Sequence, residues 1–130
     1  MDRIQERLDF AKKAQASLRE LLAIRQPDVV QRDAILLRFA FAAETTWKAA
    51  QGVLQTHEAL AYASPKECVR ASLRAGLLDA RDADSAMIAV EDRNLVVHTY
   101  NEALALEVLG RVRGHAEVFG RWLDALRRRS

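Results

Sequence analysis

The chain has a single cysteine, Cys68, which rules out an intrachain disulfide framework and fits a reducing compartment. It also lacks any uncharged apolar run near the ~18 residues that a membrane span requires. Its N-terminus, MDRIQERLDF, is charged and has no apolar segment of the kind that directs secretion. A cytoplasmic protein that makes no membrane contact is expected. There is no glycine-rich phosphate loop and no Gly-x-Gly-x-x-Gly. Neither His-Glu-x-x-His nor Glu-x-x-His occurs, so no metal or other cofactor is expected. Asp82 to Asp84 read Asp-Ala-Asp, superficially like the paired aspartates of nucleotidyltransferases, but the Gly-Ser turn that accompanies those is missing. These aspartates are better read as caps at a helix start, where the macrodipole favours them.

Half of the residues are hydrophobic, enough for a sizeable core, and 130 residues suit one domain spanning 1–130. The formal charge of +2 selects no class of partner. Sixteen of the twenty basic residues are Arg, which suits phosphate or carboxylate recognition but also follows from a GC-rich genome. Ile4, Leu8, Ala11, Leu18 and Leu22 keep helical spacing, with Gln15 a polar intruder, and Pro27 marks the end of that helix. Leu36, Ala40, Ala43, Trp47, Ala50 and Leu54 form a second stripe, on a helix from about Val29 to His57. Ser64, Pro65 and Glu67 carry a capping box with proline at the first helical position, starting a short helix that ends near Gly76. A further helix capped by Asp82 or Asp84 carries Met87 and Val90 toward Arg93. A last one, from Glu102, follows Val108, Val112, Phe119, Leu123 and Leu126, with His115 a packed side chain on its stripe. No period-2 alternation suggests a sheet. The expected fold is all-α, an up-and-down antiparallel four-helix bundle with an additional short helix.

One stretch fits this plan poorly. EDRNLVVHTYNE, Glu91 to Glu102, sets Arg93, His98 and Tyr100 around an apolar run. On one helix Arg93 and His98 point about 140° apart. They can share a site only if the helix breaks near Asn94 or Thr99, or if two copies meet. Arg supplies permanent positive charge for a phosphate, and His moves protons near neutral pH. Together they are the minimum equipment for cleaving a phosphodiester without a metal.

RNLVVHTY resembles the Arg-x4-His-x-Tyr motif of the HEPN superfamily, small all-helical proteins that include ribonuclease toxins. RFAFAAETTWKAAQGVL is similar to the Arg-Phe…Glu-x-x-Trp-Lys helix of the nucleotidyltransferase substrate-binding proteins in that superfamily. SPKECVRASLRAGLL and the segment after it resemble the same family's second half, so the likeness covers about Met1 to Val112. The resemblance implies that Arg93 and His98 are the catalytic pair of a metal-independent endoribonuclease acting on RNA, with Asn94 supporting the arginine. Tyr100 would be the residue that a partner, a separate minimal nucleotidyltransferase, modifies to silence a HepT-like toxin. The resemblance also implies a homodimer whose cleft is lined by motif residues of both chains. Glu44, Trp47 and Lys48 match the second-helix pattern. Glu44 and Lys48 read as a surface pair and Trp47 as core, none of them catalytic. The alternative is a non-catalytic substrate-binding subunit that docks the nucleotidyltransferase. In either case the chain itself is not a nucleotidyltransferase.

Overall fold

The computed structural model describes residues 2–58, 62–99 and 101–130, without the side chains of His57 and Glu58. These residues form five α-helices: α1 (Arg3–Leu22), α2 (Val29–Glu58), α3 (Pro65–Arg74), α4 (Ala80–His98) and α5 (Glu102–Arg129). Among the described residues there is no strand, and no helix is long and apolar enough to cross a membrane.

Local chemistry sets most helix starts. Asp2 caps α1 by accepting from the Gln5 amide. Asp28 and Gln31 exchange reciprocal bonds at the head of α2, satisfying amides that a helix leaves without internal partners. Ser64 caps α3 with Pro65 at its first position, as the sequence predicts. The α3 helix gives way to Gly76, whose φ of 77° is open to glycine at no steric cost. The start of α4 differs from expectation. Asp79 is its cap, accepting from the Asp82 amide at 2.8 Å. The Asp82 carboxylate is instead gripped on both oxygens by Arg121 of α5, at 2.8 and 3.0 Å. An aspartate three residues inside a helix cannot cap it, but it can reach sideways to a neighbouring helix.

The four long helices run up and down. The α1 and α2 helices are antiparallel, joined where Arg7 meets Lys48 and Arg38 donates to the Ser17 carbonyl. The α4 and α5 helices are also antiparallel, and two bidentate Arg–Asp pairs, Arg121–Asp82 and Arg111–Asp92, set their register. The α2 and α5 helices run parallel and pack closely: Phe39 stacks on His115 and Phe119, and Val53 and Leu54 share a core cluster with Trp122 and Leu126. The α3 helix closes the end of the bundle, where the Trp122 indole N–H donates to the Ser72 hydroxyl. Gln15, the polar intruder on the first stripe, is 3 % exposed. It donates to the Thr46 hydroxyl and the Phe119 carbonyl, so its amide is buried at little cost.

Candidate functional site

The α4 helix carries Arg93, Asn94 and His98 on one unbroken run of turns, and it ends only at Thr99, whose backbone is extended. Asn101 then caps α5 by accepting from the amides of Ala103 and Leu104. Within one chain, Arg93 and His98 therefore stay roughly 140° apart around the helix and about 7.5 Å apart along it. The structure does not gather them into one site. Tyr100 lies outside the described residues, as does the side chain of His57.

Arg93 is fixed from two sides. Its Nη1 donates to Asn94 Oδ1 at 3.1 Å, and its Nη2 lies 3.3 Å from Glu44 Oε2 on α2. Its Nε is buried without a hydrogen-bond partner, although the side chain as a whole is 28 % exposed. The guanidinium is held in place, and each Nη carries a second N–H beyond these contacts, for which an oxyanion is a suitable partner.

Glu44 is the centre of this arrangement, which reading it as a surface pair did not anticipate. One oxygen also accepts from the Trp47 indole N–H at 3.0 Å, and the other lies 3.3 Å from Lys48 Nζ. Burial would raise the Glu44 pKa. The Trp47 bond, the Arg93 charge and Lys48 outweigh it, so the carboxyl is held below its usual range and stays ionised at neutral pH. Trp47 is half-buried rather than fully core. Its ring packs against the core cluster while its N–H serves Glu44.

His98 is exposed at the last position of α4. Beside it, an open groove of about 680 Å³ runs between α2 and the α4–α5 turn. Its walls include Leu37, Val97 and Leu106, which are 58 %, 48 % and 46 % exposed.

Behind Arg93 lies a second cluster that the sequence reading did not find. Asp92 is 2 % exposed. Arg111 donates to both of its oxygens at 2.8 Å, and His115 Nε2 lies 2.7 Å from Oδ2. The His115 ring stacks on Phe39 and Phe119. Burial alone would raise the Asp92 pKa, but the bonds from Arg111 and His115 and the Arg111 charge bring it below the usual carboxylate range. The residue next to Arg93 is thereby locked to α5, so the arginine's Cα is positioned by a buried ionic clamp. Among the described residues, no group of three or more His, Cys, Asp or Glu side chains is arranged to hold a metal.

The family described as nucleotidyltransferase substrate binding protein like matches residues 6–128. The chain belongs to that family. Its fold is also that of several solved structures. A protein from Thermus thermophilus is 42 % identical, with 90 % of this chain and 98 % of that one covered and a TM-score of 0.85. A tri-AMPylated Shewanella oneidensis HEPN toxin, solved in complex with MNT antitoxin, is 18 % identical over 98 % of this chain and 99 % of its own, with a TM-score of 0.80. A mutant MntA–HpeT toxin–antitoxin structure is similar at 18 % identity, with coverage of 96 % and 97 % and a TM-score of 0.79. A search of curated proteins finds no significant match. The all-α fold expected from the helical stripes is the fold observed, and it is the fold of those HEPN toxin structures.

Proposed function

We propose that this protein is the toxin half of a two-component toxin–antitoxin pair. In this reading it is a metal-independent endoribonuclease that a separate minimal nucleotidyltransferase silences by modifying Tyr100. The observation that carries it is the state of the motif. Arg93 is pinned by Glu44 and Asn94 with N–H groups of its Nη atoms to spare, and His98 stands exposed at the end of the same helix. The likeness in fold to toxins solved with antitoxin partners supports the two-component part of the reading.

One helix cannot aim both side chains at one phosphate, so the reading requires a homodimer. The apolar groove beside His98 supplies a face for it. Burying Leu37, Val97 and Leu106 against a second copy removes apolar surface from water at about 25 cal/mol per Å². It also brings two His98 side chains toward a shared cleft. There the ribose 2′-hydroxyl attacks the adjacent phosphorus and the bond to the 5′-oxygen breaks. One histidine takes the hydroxyl proton and the other gives a proton to the leaving oxygen. Arg93 stabilises the charge that develops on the non-bridging oxygens.

The family description favours a second reading, a non-catalytic subunit that recognises substrate for a docked nucleotidyltransferase. Cleavage of RNA in EDTA by unmodified protein, compared with His98→Ala, decides between them. Cleavage that the variant loses supports the nuclease. No cleavage by folded, dimeric wild type supports the substrate-binding subunit.

A further inference from the structure

Arg93 stands at one end of a row of cations on the outer face of α2. Lys48 follows it, sharing the Glu44 carboxylate from the opposite oxygen at 3.3 Å. Arg7 of α1 comes next. It reaches across α2 to donate to the Lys48 carbonyl at 3.0 Å and to Gln51 Oε1 at 3.1 Å. Its chain lies flat over Gly52, where an added Cβ would sit 3.4 Å from Arg7 Cδ. Both hydrogen-bond partners of Arg7 are neutral oxygens, and among the described residues no ion pair within 4.0 Å involves it. Glu44 offsets one charge of the three. The row keeps a net positive charge along about two helical turns, and Lys48 is half exposed to solvent.

We propose that Lys48 and Arg7 form a phosphate track for single-stranded RNA that continues the Arg93 site away from His98. The direction follows from topology. The α2 and α4 helices are antiparallel, so the C-terminal half of α2 that carries Lys48 lies toward the start of α4, opposite the end that carries His98. Cations that follow one another from α4 to α2 to α1 suit a chain of phosphates better than a single anion. Neither residue reads a base, so the track grips without regard to sequence. The identity of the strand as RNA rests on the ribonuclease reading.

The test is fluorescence anisotropy with a 2′-O-methyl oligoribonucleotide, which lacks the attacking hydroxyl and so binds without being cut. Titrations at several salt concentrations compare wild type, Lys48→Gln and the Lys48→Gln/Arg7→Gln double variant. Lys48→Gln should bind several-fold more weakly, with the slope of log affinity on log salt shallower by about 0.7, the value for one fewer phosphate neutralised on a single strand. The double variant should lose about 1.4. Because Arg7 also braces α2, Arg7→Lys serves as a control that keeps the charge and should keep the slope. Unchanged affinity and slope in Lys48→Gln overturns the track, and so does a folded wild type that binds no oligonucleotide. A parallel assay on cleavable RNA separates this inference from the nuclease reading. Binding with the expected slopes but no cleavage keeps the track and removes the nuclease. Cleavage with KM raised and kcat unchanged in Lys48→Gln supports both.

Discussion

Replacing Asp92 with Ala tests whether the buried clamp behind Arg93 holds α4 against α5. The substitution removes the acceptor of three short hydrogen bonds. The two partners fare differently. Arg111 has a side chain 42 % exposed and can turn to water at little cost. The His115 side chain is 6 % exposed, among Phe39 and Phe119, and its Nε2 is left without a partner. An orphaned buried polar group costs about 1–3 kcal/mol, and breaking a buried ionic pair by removing one member costs about 3–5 kcal/mol. With Arg111 free to relax, about 3 kcal/mol is expected. For a domain of this length that is a fall in Tm of roughly 10 °C.

The pH dependence distinguishes the clamp from simple packing. The folded Asp92 carboxyl titrates below its usual value, so its stabilisation is complete above the unfolded value near pH ~4 and is lost as pH falls through the lower folded value. The Tm gap between wild type and Asp92→Ala should therefore be full at pH 7 and narrow on acidification below pH ~4. Calorimetry across that range measures it. A gap of less than about 3 °C at pH 7, or one that does not depend on pH, would refute the assignment of net stability to this cluster.

Leu37→Glu adds a charge to the apolar groove beside His98 at a side chain that is already 58 % exposed. It should leave Tm within a few degrees while abolishing self-association in sedimentation velocity and RNA cleavage with it; a variant that still dimerises would remove the groove from the interface. Cys68 is fully buried, and burial, with a smaller contribution from Glu67, pushes its thiol up to about 12. It should react with a disulfide reagent only as fast as the protein opens, whereas rapid stoichiometric labelling of the native protein would contradict that burial.

Much of the fold was legible because helical spacing and end chemistry agree. The Leu36–Leu54 stripe and the Ser64–Pro65–Glu67 signal each name an element that the structure contains. The start of α4 was misread for a local reason. Asp79, Asp82 and Asp84 offer the same side chain at neighbouring positions, and only the backbone decides which one caps. The ones that do not cap are free for other partners, and Arg121 takes Asp82. That partner lies 39 residues away, out of reach of any argument from local spacing.

The candidate site was legible as residue types and not as contacts. Arg93, Asn94 and His98 could be named, and the roughly 140° between Arg93 and His98 already called for either a break in the helix or a second copy. What sequence alone could not supply was the helix that faces Arg93. Glu44 and Lys48 satisfy the i, i+4 rule on their own, so nothing in their spacing calls for a third partner. Once α2 and α4 pack antiparallel, the same carboxylate lies 3.3 Å from a cation on each side. A pair that reads as a weak surface bridge thereby becomes the element that aims the arginine. The same logic applies to Asp92, whose charge looks like surface in the sequence and is buried because Arg111 and His115 come to it from α5. In both cases the carboxylate is informative because it is held by groups from another helix. A carboxylate on α2 or α4 that no other helix engages would have only the role its own helix gives it.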